Sequence, residues 1–181
     1  MNTYTYELKI PKNRIAVIIG KEGSIKKDIE ESTHTTLKID SKEGDVYIDG
    51  EDALGLYIAR EIIRAIGRGF NPELAKLLLK QDYILETIHL SDYAGKSKDT
   101  LIRIKGRVIG KEGKSRSLLE NLTETNISVF GKTISIIGKS ENVSNSKRAI
   151  ENLLRGANHS SVYQWLEKKR KQLKRKEMME L

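Results

Sequence analysis

Two stretches of the chain carry the same four residues in the same setting, Gly20-Lys21-Glu22-Gly23 and Gly110-Lys111-Glu112-Gly113. Each follows an aliphatic run, Val17-Ile18-Ile19 or Val108-Ile109, and each opens a polar, helix-compatible segment. Glycines flanking a tight break leave no side chain between the main chain and an approaching group. A helix that starts just after the break turns its free N–H groups and the positive end of its dipole towards the same spot. The chemistry this supports is capture of an anion, a phosphate above all, by backbone donors. Nucleotide hydrolysis is the poorer fit. Gly106-Arg107-Val108-Ile109-Gly110-Lys111 is one residue short of a P-loop, and Glu112 stands where a Ser or Thr would hold magnesium.

Other chemistries have little to stand on. The 181 residues include no Cys, which excludes disulfides, thiolate metal sites, iron–sulfur clusters and a thiol nucleophile. His34 precedes an expected strand and His89 ends one, with no second His or carboxylate at ligand spacing. No metal, no cofactor and no enzymatic activity are therefore expected. The aromatic set of 2 Phe, 1 Trp and 7 Tyr is too sparse for a base-stacking platform of the RRM or OB type. No apolar run approaches the roughly 18–20 residues that span a bilayer, and Met1 to Ile10 lack the apolar stretch of a signal peptide. No membrane partner is expected, and the expected location is cytoplasmic.

The elements that must position the two loops follow from an internal repeat. At a constant offset of 90, Glu30 falls on Glu120, Thr33 on Thr123, Thr35 on Thr125, and Leu37-Lys38-Ile39 on Ile127-Ser128-Val129. Two copies are too few for a solenoid, so duplicated domains are the expected reading. In the first copy the alternation at 4–10 predicts a strand, 13–19 a short helix and 24–32 a second helix. Strands at 35–39 and 45–49 then flank a Ser-Lys-Glu-Gly turn, and a long helix carries Leu54, Ile58, Ile62 and Ile66 on its apolar face. The second copy gives the same order: a strand at 83–90, helices at 99–109 and 113–122, strands at 127–130 and 133–137, and a closing helix stopped near Gly156. The polar stretch 91–98 reads as an inserted surface loop.

Asn71-Pro72-Glu73 is a strong helix start, and Leu74, Leu77 and Leu78 give that connecting helix one apolar face, expected to pack the two domains together. A terminal helix over 161–179 carries Val162, Trp165, Leu166 and Leu173 as a stripe beside a run of lysines and arginines. The expected organisation is thus a first domain over 1–70, a connecting helix over 71–82, a second domain over 83–157 and a basic helix over 158–181.

The β-α-α-β-β-α order with an Ile-Gly-Lys-Glu-Gly core in both copies resembles the type I KH family, over about 4–70 and 83–156. That resemblance implies an α+β fold of tandem KH domains, each a three-stranded sheet packed on helices. It also implies a loop that clamps four backbone nucleotides of a single strand. The Gly69-Phe70-Asn71-Pro72-Glu73 linker with Leu77-Leu78, the Gly106 to Gly110 run and the basic terminal helix are similar to the archaeal two-KH ribosome-assembly factors related to the eukaryotic partner-of-Nob protein. This implies binding near the 3′ end of small-subunit ribosomal RNA, with a Nob-type endonuclease and the alpha subunit of translation initiation factor two as partners. One departure stands out: many KH domains place Ile three residues after the second glycine, where this chain has Lys26 and Arg116.

Charge ranks the two copies. Lys and Arg total 33 against 25 Asp and Glu, a net of +8. Residues 1–70 carry 11 basic and 12 acidic side chains, 71–157 carry 15 and 10, and 158–181 carry 7 and 3. Around the second loop, Arg103, Lys105, Arg107, Lys111, Lys114 and Arg116 face only Glu112, for a net of +5 over 102–118. The aligned window 12–28 holds Lys12, Arg14, Lys21, Lys26 and Lys27 against Glu22 and Asp28, for +3. The second domain is therefore expected to be the principal RNA clamp. Ile109, Leu119 and Ile127, and in the first copy Ile19, Ile29 and Leu37, are expected to wall the base groove. Two other readings stay open: an exosome-type or transcription-associated KH accessory subunit, and a protein-interaction scaffold in which only the second domain binds RNA.

Overall fold

The computed structural model describes residues 3–180. Residues 1, 2 and 181, the outer ends of the expected first domain and terminal helix, lie outside the described residues. The chain divides into two compact units, 1–83 and 84–181.

In the first unit the elements run β1 (Tyr4–Lys9), α1 (Lys12–Ile19), α2 (Ser24–Thr33), β2 (Thr36–Asp40), β3 (Asp45–Gly50) and α3 (Ala53–Gly67). The sheet order is β1-β3-β2, and both pairings are antiparallel. Along β3, Val46 and Ile48 are fully buried while Asp45, Tyr47 and Asp49 are not, the period-two pattern of a sheet covered on one face. Ile15, Ile18, Ile29, Leu37, Leu56, Ile62, Ile63 and Ile66 complete that core. Asp52 starts α3 by accepting the Gly55 N–H at 2.8 Å. Leu54 does not join the core: it sits at the first turn of α3, 65% exposed. The connecting segment is α4 (Pro72–Ala75) followed by a 3₁₀ turn, Lys76–Leu79, and it packs on α3 within this unit. Asn71 caps α4 by accepting the Leu74 N–H at 2.8 Å.

The second unit repeats the order with β4 (Tyr83–His89), α5 (Ser91–Ala94), α6 (Lys98–Ile109), α7 (Lys114–Thr123), β5 (Asn126–Phe130), β6 (Thr133–Lys139) and α8 (Ser140–Leu154), then adds α9 (His159–Met179). Its sheet order is β4-β6-β5. The expected loop at 91–98 instead begins with α5, held because Leu90 and Ala94 are buried and Tyr93 packs against the same core. Val162 and Leu166 of α9 are buried in that core, with Tyr163 and Trp165 against its rim. The aligned threonines of the repeat have a structural role. Thr33 Oγ1 donates to the Ile29 carbonyl and pairs with Thr35 Oγ1, and Thr123 does the same with Leu119 and Thr125.

Candidate nucleic-acid interface

The two glycine loops are nearly superimposable in conformation. Gly20 and Gly110 both have φ of 72°, with ψ of 179° and 176°. Gly23 and Gly113 lie in the left-handed region at φ 77° and 74° and form the N-caps of α2 and α7. At Gly20 an added Cβ would lie 2.8 Å from the Ile25 nitrogen; at Gly110 it would lie 2.7 Å from Ser115 Cβ and 2.8 Å from its nitrogen. The first glycine of each loop is thus demanded by both conformation and packing. Around the second there is nothing within 4 Å, so only its φ requires glycine and the space above it is open. Between the glycines, Glu22 and Glu112 are themselves left-handed at φ 53° and 55°. Such strain in non-glycine residues concentrates where a backbone is pre-shaped for a ligand. No side chain caps α2 or α7; the Ser24 and Lys114 N–H groups donate within the loop, to the Lys21 and Lys111 carbonyls, and the positive end of each helix dipole faces the open space above the second glycine.

Lys21, Glu22, Lys111 and Glu112 are exposed at the loop tips, and Lys27, Arg103 and Lys114 are exposed on the adjoining helices. Four other expected contacts are wholly or partly committed elsewhere. Arg107 Nε donates to the Leu153 carbonyl at 2.9 Å and its Nη2 donates to the Ala157 carbonyl, so it caps the end of α8. Arg14 does the same for α3, donating to Ile66 at 2.8 Å and Phe70 at 2.7 Å, and burial pushes its guanidinium below the usual value. Lys105 Nζ donates to the Gly131 carbonyl at 2.7 Å in the β5–β6 turn. Lys26 pairs with Glu30 at 3.9 Å. The expected groove wall also needs correction. Ile29, Leu37 and Leu119 are at most 1% exposed and Ile127 is 4% exposed, so they form the core beneath the groove; Ile19 and Ile109 are half-buried beside the loops. Periodicity identifies apolar positions but cannot say which of them sit one layer up.

The groove itself is framed by bonds between its walls. In the second unit Lys105 ties α6 to the strand turn, and Glu120 Oε1 accepts the Ile127 N–H at 2.8 Å, tying α7 to β5. Glu30 accepts the Leu37 N–H at 2.7 Å in the first unit. Because β5 is an edge strand and the Ile127 N–H points outward, ladder alternation directs the Val129 N–H to the same open edge. The Val129 N–H and the exposed backbone at Gly106 are further features of the site, and counting charged side chains does not find them. The clue was present in the repeat, where an acid stands seven residues before each edge-strand aliphatic, Glu30 before Leu37 and Glu120 before Ile127.

Among the described residues no cluster of His, Asp or Glu could hold a metal, and no helix is long and apolar enough to cross a membrane. Residues 5–65 match the KH-domain family, and residues 84–171 match the eukaryotic-type KH domain, type I. A KH domain-containing protein from Methanocaldococcus jannaschii is 51% identical over 172 residues, covering 93% of this chain and 75% of that protein. The RNA-binding protein pno-1 of Caenorhabditis elegans is 35% identical over 118 residues, 64% of this chain and 43% of that protein. The crystal structure of Dim2p from Pyrococcus horikoshii superposes with a TM-score of 0.85 at 45% identity, covering 91% of this chain and 99% of that one. The same organism's complex of aDim2p with a/eIF2alpha and rRNA gives a TM-score of 0.87 at 44% identity, covering 94% and 96%. With two type I KH domains in tandem, two matching glycine loops and relatives spanning nearly its whole length, this chain belongs to the archaeal Dim2/PNO1-like family of two-KH-domain proteins.

Proposed function

We propose that the protein binds single-stranded RNA without catalysing its cleavage, and that its target is the 3′-end region of small-subunit ribosomal RNA during ribosome biogenesis. The observation that carries this is the loop Gly110–Gly113: open space above Gly113, an uncapped α7 behind it and exposed Lys111 and Lys114 beside it. The described complex of the Pyrococcus horikoshii relative with rRNA and a/eIF2alpha supports both the RNA class and the alpha subunit of translation initiation factor two as a partner. A Nob-type endonuclease is the second proposed protein partner, and the cytoplasm the proposed location. The proposed division of labour places the principal clamp in 83–157, assisted by the basic helix over 158–181. The first domain, 1–70, with its near-balanced charge, is a weaker RNA site or a protein-docking surface, and 71–82 connects the two.

The experiment replaces Lys111 and Glu112 by Asp, and separately Lys21 and Glu22 by Asp, and measures binding to an oligonucleotide from the 3′ end of the small-subunit RNA at two salt concentrations. Neutralising about four phosphates of a single strand gives a slope of about −3 in log affinity against log salt. The second-unit variant should lose most of its binding and the first-unit variant little. Parent-like binding by the second-unit variant overturns the principal site; equal losses overturn the division of labour.

A further inference from the structure

Arg116 lies on α7, three residues beyond Gly113 and one helical turn before Glu120, on the flank of α7 that faces β5. Its Nε is buried and has no hydrogen-bond partner among the described residues. No acid lies within ion-pair distance of it there, whereas its counterpart Lys26 pairs with Glu30. Among the described residues the terminal amino groups have no partner either, and they are not among the buried unpaired atoms, so they reach the surface. The half-buried side chain therefore has its Nε inside and its amino groups at the surface. A buried donor without a partner is costly, and its retention calls for an explanation. Every other cation near the second loop is either exposed to solvent, as are Arg103, Lys111 and Lys114, or bound to a carbonyl, as are Lys105 and Arg107.

Two parallel N–H donors in a fixed plane match two adjacent acceptors on one edge of a ligand. In a single strand both Watson–Crick and Hoogsteen edges are available. Guanine offers O6 and N7, and cytosine offers N3 and O2; adenine and uracil present no adjacent pair of acceptors. A phosphate also offers paired oxygens, but the strand's phosphates are drawn to the loop tip, where Lys111 and Lys114 are exposed and the space above Gly113 is open, and Arg116 sits beyond them on the flank of α7 that faces the edge strand. We infer that Arg116 is a specificity-determining residue that reads a guanine or cytosine in the groove of the second unit, and selects it over adenine and uracil. This rests on the RNA-binding reading given above.

The test uses the full chain and eight-nucleotide RNAs of uridine carrying a single G, C or A at each position, with binding followed by fluorescence anisotropy. The parent should prefer G or C at one position by about tenfold or more. Arg116→Gln should flatten that preference while still binding. Arg116→Lys, which keeps the charge and stem but not the planar fork, should lose the preference with the salt slope unchanged. If guanine is the base read, 7-deazaguanine, which lacks the N7 acceptor, should bind like adenine. The inference is overturned if the parent shows no such preference, or if Arg116→Gln weakens all four bases equally, the signature of a phosphate contact. A parent that binds none of the RNAs overturns the RNA-binding reading as well, whereas binding indifferent to Arg116 overturns this inference alone.

Discussion

Arg107 is the sharpest point at which charge counting and geometry diverge, and replacing it separates the two. As an RNA contact its removal would weaken binding at constant stability. As the cap of α8 it makes two charge-assisted hydrogen bonds, to the Leu153 and Ala157 carbonyls, while its own carbonyl accepts from His159 Nε2 at 2.7 Å. Hydrogen bonds involving a charged group contribute about 1.5–3 kcal/mol each. The group is only part-buried and the freed carbonyls can recruit water, so Arg107→Ala should cost about 2–4 kcal/mol in total. Against the usual 5–15 kcal/mol of a domain this is a large loss. Trp165, the single tryptophan, sits on α9 in the same unit, so its fluorescence reports unfolding there. With a urea slope of about 2 kcal/mol/M, the midpoint should fall by roughly 1–2 M. Arg107→Lys should lose nearly as much, because an ammonium cannot span both carbonyls. An unchanged midpoint combined with weaker RNA binding would refute the capping role.

The two glycines of each loop should respond differently to alanine. Gly110→Ala forces a Cβ against the Ser115 backbone at φ 72° and should unfold or reshape the turn, read as lost thermal stability together with lost RNA binding; Gly113→Ala meets open space and should cost only about 1–2 kcal/mol of left-handed strain. In the first unit Asp49 accepts from Thr5 Oγ1 at 2.6 Å and Lys38 Nζ at 2.9 Å, which holds its carboxyl below the usual value, the Thr5 bond first. Its contribution to stability is present above the unfolded carboxyl pKa and is lost as pH falls through the lower folded value. An NMR titration should find Asp49 titrating below the ordinary aspartate range, and Thr5→Val should bring it back up.

Much of this was legible in the residues. The offset of 90 gave the duplicated fold because the matched positions carry matched roles: Thr33 and Thr123 bond back to their helices, and Glu30 and Glu120 hold the edge strands. The loops were legible because glycine is the residue type whose presence most directly reports backbone shape. The groove was not. Leu119 and Leu118 are adjacent on one helix and equally apolar, yet one is fully buried and the other 39% exposed, a difference set by what α9 and the sheet cover. Arg107 and Arg103 are likewise one turn apart, and only the position of the α8 terminus makes one a cap and leaves the other exposed. Sequence shows that a cation is present; the fold decides whether a carbonyl reaches it first.

The same distinction separates the two clamps. The residue that packs under the first glycine is Ile25 in one unit and Ser115 in the other. Ser115 Oγ accepts a hydrogen bond from Tyr163 Oη at 2.9 Å, and His159 on the same helix donates to the Arg107 carbonyl at the end of α6. The first two turns of α9 therefore hold both helices that flank the second loop. Leu166, one turn beyond Tyr163, is buried, and the lysines and arginines of 168–176 follow immediately on the same rigid rod. The basic run is thus fixed in position relative to the second clamp, and the +4 of the last segment adds to the field around that loop whatever each lysine touches. Charge and bracing converge on one unit because the helix that braces the second clamp adds its own basic run to the +5 already carried beside that loop.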